Sequence, residues 1–159
     1  MADEVFKVPK NPARVEILVP PEEPAERVVY LSELAEHHRG SETVTDLLAA
    51  SGRFLPVVGP EGGFTLVSKE SIRWVRVLEP ETAEWLYFEE RGAAPRIGVW
   101  FEFEGDGRLE GGIYAVTPEG LQRAQDVVNL ERAFLHLESD GDLYLVNLGQ
   151  VRTIGLWGG

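Results

Sequence analysis

Cysteine is absent from this 159-residue chain. That excludes disulfide cross-links, a thiolate nucleophile and a zinc–thiolate site. Long apolar runs are absent too, none approaching the roughly 20 residues that span a bilayer as a helix. The opening residues, MADEVFKVPKNP, lack the basic-then-apolar order of a secretion signal. The expected setting is therefore cytoplasmic and away from membranes. Positive charge is scarce: 15 Lys/Arg stand against 27 Asp/Glu, a formal net charge of −12. Nucleic-acid binding draws on cations that neutralise phosphates, and an anionic membrane surface repels an acidic chain. Both partners are disfavoured unless the few cations cluster.

Catalytic signatures are missing as well. The chain has no G-x-S-x-G elbow, phosphate-binding glycine loop or dinucleotide fingerprint. Glu33 and His37 would share one face if residues 32–38 form a helical turn, yet a metal site needs further ligands that the sequence does not nominate. Asp106-Gly107 and Asp140-Gly141-Asp142 lack the alternate acidic positions and closing Glu of a calcium loop, and read as hairpin turns. Glu102 and Glu104 alternate with Phe101 and Phe103, the pattern of a solvated strand face. His136 falls at a surface or half-buried strand position, not where a general base is wanted. No cofactor and no metal is expected, and a non-enzymatic role is.

What the chain does contain is a pattern used twice. Phe54-Leu55-Pro56-Val57, a Gly-rich turn, Phe64-Thr65-Leu66-Val67-Ser68 and Ile72-Arg73-Trp74-Val75 form the first copy. The second runs Phe134-Leu135-His136-Leu137, a Ser-Asp-Gly-Asp turn, Leu143-Tyr144-Leu145-Val146-Asn147 and Val151-Arg152-Thr153-Ile154. The spacing is 80 before the turn and 79 after it. One residue is thus lost in the turn, where length changes cost least. Upstream, Asp46-Leu47-Leu48 matches Asp126-Val127-Val128, Val29-Tyr30 matches Ile113-Tyr114, and Arg14-Val15-Glu16-Ile17 matches Arg96-Ile97-Gly98-Val99. The organisation is a tail at residues 1–13, a β-rich unit at 14–78, a linker at 79–95 and a second β-rich unit at 96–157.

Alternating apolar residues predict strands in both units, each closing with a three-strand meander. Residues 45–52 and 120–132 interrupt the units with helical segments, the first capped by Thr or Ser and followed by Gly52. Asp46 and Asp126 fit capping roles. Gly111-Gly112 inside a strand pattern predicts a bulge or sharp bend. In the linker, residues 82–90 read as a short helix whose Trp85, Tyr87 and Phe88 pack one unit against the other.

Val67-Ser68-Lys69-Glu70-Ser71-Ile72-Arg73-Trp74-Val75 resembles the second signature of Sm-like proteins, in particular the bacterial Sm-like RNA chaperones. FEFEGDGRLEGGIYAV, residues 101–116, is similar to the first signature. The resemblance implies a small, strongly bent five-stranded barrel, duplicated in tandem, and an SH3-like barrel of other ancestry fits the same pattern. In the RNA chaperones the basic turn helps form the RNA site. Here Lys69 is present, Glu70 replaces the usual His, and Leu148 and Gly149 occupy the same places in the second copy.

The fold expected is mainly β with short helices: two tandem small barrels or half-barrels. The function expected is a binding or assembly module, with protein as the partner and a monomer or small homo-oligomer as the state. An alternative is nucleic-acid binding through Lys69, Arg73, Trp74 and Arg76, with Trp74 stacking a base. A second alternative is a ligand or catalytic pocket between units lined by Trp85, Tyr87, Trp100 and Tyr114, with Phe88 on the same inter-unit surface.

Overall fold

Alternation of buried and exposed side chains runs along most strands of the chain. A computed structural model describes residues 10–115, 127–129 and 133–157. Its strands are β1 (Lys10–Leu18), β2 (Ala25–Ser32), β3 (Phe54–Val58), β4 (Phe64–Ser68) and β5 (Trp74–Val77), then β6 (Arg96–Phe103), β7 (Arg108–Tyr114), β8 (Phe134–Ser139), β9 (Asp142–Asn147) and β10 (Val151–Leu156). Short helices are α1 (Val44–Ala49), α2 (Pro80–Ala83) and α3 (Trp85–Arg91). Single 3-10 turns, Lys69–Ser71 and Leu148–Gln150, separate the last two strands of each half. Among the described residues no helix is long and apolar enough to cross a membrane.

The protein is mainly β, and all ten strands join one antiparallel sheet in the order β10-β6-β7-β8-β9-β5-β1-β2-β3-β4. Two separate closed barrels are not what the strands build. The sheet stays open, and its ladder runs unbroken through the middle because β5 pairs with β9, Val75 opposite Leu145. Within each half the order is the same, 5-1-2-3-4 in the first and 10-6-7-8-9 in the second. The expected three-strand meanders therefore do not form: after the 3-10 turn the last strand crosses to pair with the first strand of its half. The ladders also correct one alignment. Ile17 lies opposite Val75 and Phe101 lies opposite Ile154. The counterpart of Val15–Ile17 is therefore Val99–Phe101, two residues beyond the match suggested by Arg14 and Arg96.

Two apolar cores follow from this arrangement. Val15, Val29, Leu55, Val57, Ile72 and Val75 fill the first, and Phe101, Phe103, Ile113, Leu137 and Val146 the second. They interlock at the middle of the sheet: Phe134 and Leu145, from the second half, pack in the first core, while Trp74 packs against the second. Each such fully buried side chain contributes about 1.5–3 kcal/mol of transfer free energy. No bulge forms at Gly111-Gly112, because β7 keeps continuous register with β6 through both glycines. They permit close approach instead, since a Cβ on Gly111 would run into the Glu138 carbonyl of β8 and one on Gly112 into the Arg96 guanidinium. The register shift lies between Val151 and Thr153.

Helix α1 starts two residues earlier than the Thr45 cap expected. Thr43 is the cap: its hydroxyl accepts from the Asp46 N–H, and the Asp46 carboxylate accepts from the Thr43 N–H at 2.8 Å. This reciprocal box satisfies two helix-end donors. Asp46 is thus the third residue of the helix, closing the box rather than capping, and Asp126 lies outside the described residues, as does most of residues 120–132. Residues 32–38 do not form a helical turn. β2 runs to Ser32, whose N–H donates to Glu42 at 3.0 Å, and the chain then bends. His38 ends that bend with Nε2 2.7 Å from Asp46 Oδ2 and Nδ1 2.9 Å from the Arg39 carbonyl.

The Arg39 carbonyl, followed by the Asp46 carboxylate, holds the His38 imidazole above its ordinary value of 6.5. A raised folded-state value means that this contribution to stability is whole below the ordinary value and is lost as pH rises through the folded one. Thermal melts on either side of that window are expected to show a fall in melting temperature for the wild type that His38→Gln removes. An equal fall in both proteins would contradict the assignment.

Candidate functional site

The seam between the two halves is where charged and aromatic side chains gather. Ala83 of helix α2 packs in the first core while Tyr87 and Arg91 of helix α3 reach β8 in the second half, Pro80 opening α2 where a missing N–H costs nothing. Between them stands Glu84, only 1% exposed. Its Oε1 accepts from the Thr45 N–H at 2.7 Å, and its Oε2 accepts from the Thr45 hydroxyl at 2.7 Å. His136 Nε2, from β8, lies 2.8 Å from the same Oε2 and 3.0 Å from the Thr45 hydroxyl. One linker carboxylate thus ties the first half to the second. A buried carboxylate persists only when paired in this way.

Tyr87 extends the cluster. Its ring stacks on His136 with centroids 4.2 Å apart, and its hydroxyl donates to Glu138 at 2.6 Å. Arg91, one turn on, donates to the same carboxylate oxygen at 2.6 Å and lies over the Tyr114 ring at 4.4 Å. Burial, reinforced by the bond to Glu138, pushes the Tyr87 phenol well above its usual range. Tyr87 remains a neutral donor at any physiological pH. A cavity of about 270 Å³ opens here, lined by Thr45, Tyr87, Arg91, Tyr114, Phe134 and His136.

Of the expected inter-unit aromatics, the structure brings together Tyr87, Phe88 and Tyr114. Phe88 meets Tyr87 edge-on at 5.1 Å and lies beneath Arg91. Trp85 faces elsewhere: its indole donates to the Ser41 carbonyl at 3.0 Å and stands edge-on to His38. Trp100 lies on β6, covering Gly155, with Arg108 stacked over it at 4.5 Å.

The cations Lys69, Arg73 and Arg76 all have protein partners. Lys69 Nζ donates to the Ala50 carbonyl at 2.8 Å, and burial lowers its ammonium below the usual value. Arg76 pairs with Glu16 at 3.1 Å and with Asp142, across the seam, at 3.5 Å. Arg73 crosses the seam as well, donating to the Glu104 and Asp106 carbonyls and lying 4.9 Å over the Phe103 ring. Trp74 is half-buried, edge-on to Tyr144 at 5.0 Å. Arg152, the counterpart of Arg73, stays in its own half, 3.1 Å from Glu102.

Sequence patterning did not single out Glu84, Arg91 or Glu138, and it took Thr45 only for a helix cap. Each is an ordinary polar residue in its local context, and only the crossing of α3 over β8 unites them. His136 was placed on a strand but without its partner. The Glu33–His37 pairing is not made: His37 is exposed beside Glu36, and His38 is the histidine that finds a carboxylate. Among the described residues, no group of three His, Cys, Asp or Glu side chains gathers.

A second surface lies at the ends of the sheet. β4 and β10 each pair on one side only among the described residues. Phe54, Phe64 and Leu66 on or beside the first edge are exposed, as are Leu156 and Trp157 at the other. Comparison of the chain with protein-family models, curated proteins and solved structures finds no match.

Replacing Glu84 by Ala removes the acceptor shared by the half-buried Thr45 and His136. A loss of about 1–3 kcal/mol is expected for leaving the Thr45 N–H without its acceptor, read as a lower urea midpoint with unchanged slope. A loss below about 0.5 kcal/mol, the scale of ordinary surface substitutions, would show that Glu84 does not join the halves.

Proposed function

We propose that the chain is a non-enzymatic binding or assembly module, made of two copies of a small, bent, Sm-like or SH3-like β unit. It engages a protein partner along its open sheet edges. The observation that carries this reading is β4, a five-residue strand with one unpaired side whose Phe64 and Leu66 are exposed. Unpaired N–H and C=O groups beside apolar side chains form a template for another strand, and strand addition is a common mode of protein recognition. Edges that are meant to stay single commonly carry Lys, Pro or a bulge. β4 reads FTLVS and has none of these.

The other chemistry on the surface points the same way. A net charge of −12 opposes a nucleic-acid backbone, and Lys69, Arg73 and Arg76 already donate to protein acceptors. In the seam, Glu84, His136, Tyr87, Arg91 and Glu138 spend hydrogen bonds on one another. That is the economy of a structural joint. Two units of one kind, joined edge to edge, suit a role in assembly.

The test is capture on the immobilised chain from an extract of its own cell, comparing the wild type with Phe64→Lys/Leu66→Lys. Both positions are exposed, so the folded chain tolerates them. At least one protein, copies of the chain itself included, is expected to be retained by the wild type and reduced tenfold or more by the edge variant. Identical retention by both would contradict the reading.

A further inference from the structure

The joint between the two halves is also a template for a joint between two chains. We infer that the occupant of the open edge is a second copy of this chain, its β10 laid antiparallel on β4. This inference rests on the reading of the chain as an assembly module and names its partner. Inside the chain, the fifth strand of the first half pairs with the fourth strand of the second: Trp74 with Val146, Val75 with Leu145, Arg76 with Tyr144 and Val77 with Leu143. The strands left open are the other two of the same kind, β4 in the first half and β10 in the second. The spacing of 79 between the corresponding strands maps one joint onto the other. It sets Thr153 opposite Val67, Ile154 opposite Leu66, Gly155 opposite Thr65 and Leu156 opposite Phe64.

Burial shows what is missing. Leu143 and Leu145, covered by β5, are 2% and 0% exposed, whereas their counterparts Phe64 and Leu66 are 71% and 62% exposed. The same pattern position is core where the neighbour strand is present and surface where it is not. Leu156, the residue that would meet Phe64, is itself exposed at 57%.

A receiving site for the cation is also in place. In the internal joint Arg73 reaches over Phe103 to the carbonyls of Glu104 and Asp106, in the turn between β6 and β7. The turn between β1 and β2 has the same length, since Ile17 pairs with Ala25 as Phe101 pairs with Leu109. Val19, Pro20 and Glu22 therefore stand where Phe103, Glu104 and Asp106 stand. A cavity of about 300 Å³ is open at that place, lined by Val19, Glu22, Glu23, Arg27, Thr65 and Val67 among others. The counterpart of Arg73 is Arg152, and the second copy's Arg152 enters this cavity. Glu22 and Glu23 complement its charge and outnumber Arg27 on the same wall, whereas the internal joint receives Arg73 on carbonyls.

Such a contact joins unlike surfaces head to tail, so each added copy presents a fresh β4 and the assembly closes as a ring or extends as a filament. Fusion of the two units satisfies one pair of edges and leaves the other pair for neighbours.

Light scattering over a dilution series tests this. The wild type is expected to show a concentration-dependent mass that is a multiple of 17.7 kDa. Phe64→Lys/Leu66→Lys, which blocks β4, and Arg152→Glu/Leu156→Lys, which blocks β10, are each expected to fall to a single chain. Their melting curves check that both fold, and Leu34→Lys, at an exposed residue away from either edge, is expected to leave the mass unchanged. Mixed together, the two blocked variants retain one good β10 and one good β4 and are expected to form a 1:1 complex of twice 17.7 kDa. A mixture that stays monomeric, or blocked variants that assemble like the wild type, would overturn the inference. A wild type that remains a single chain throughout would overturn self-association alone, provided the β4 variant still loses a captured protein of another kind. If it loses none, the module reading falls with it.

Discussion

Four residue pairs between β5 and β9 hold the molecule in one piece. Their backbone hydrogen bonds contribute about 0.5–1.5 kcal/mol each net of water. The side chains they bring together contribute more: Val75, Val77, Leu143, Leu145 and Val146 are all buried at this line, at about 1.5–3 kcal/mol apiece. The ladder sets register, and the apolar burial makes it stable. Arg73, Arg76 and Asn147 then lock the flanks, Asn147 by donating from its amide to the Ile72 carbonyl at 2.8 Å. Without this joint, each half would end in two bare edges.

The linker helices depend on that joint rather than the reverse. Glu84 can be buried only because Thr45 and His136, 91 positions apart in sequence, are already side by side when α3 crosses the seam. A carboxylate in that place makes the relative position of the halves specific, since a shift would leave its oxygens and the Thr45 N–H without partners. Tyr87, Arg91 and Glu138 form a second layer in which every charge faces an opposite charge or an aromatic face.

Strand positions were legible in the sequence where alternation was strong. The strands expected at residues 54–78 and 134–156 fall within a residue or two of their final bounds, because Phe64-Thr65-Leu66 and Leu143-Tyr144-Leu145 alternate beside Gly-containing turns. Their pairing was not legible: β5 leaves β4 for β1 and β9, and β10 leaves β9 for β6. The first strands were harder. Arg14 and Arg96 invited an alignment that the ladder moves by two residues, since identity at a solvent-facing Arg says nothing about which apolar neighbour meets β5. Gly111-Gly112 was legible as a special position but not as a close approach to β8, a tertiary contact with no local trace. Trp85 shows the same limit: its helix was readable, while the face it presents to Gly40 and Ser41 depends on a loop that the pattern had suggested as helical. Glu84 and its partners were invisible because burial of a charge is decided by three distant segments at once.

The strand order of each half and the exposure of Phe64 and Leu66 place one idea at the centre: the pairing that joins the halves is reused between chains. Amide hydrogen exchange followed as a function of protein concentration tests it residue by residue. The account predicts strong protection of β5 and β9 at every concentration, and protection at residues 64–67 and 153–156 that appears on concentrating the protein and vanishes on dilution. Fast exchange at those two segments at all concentrations, or at β5 and β9, would contradict it.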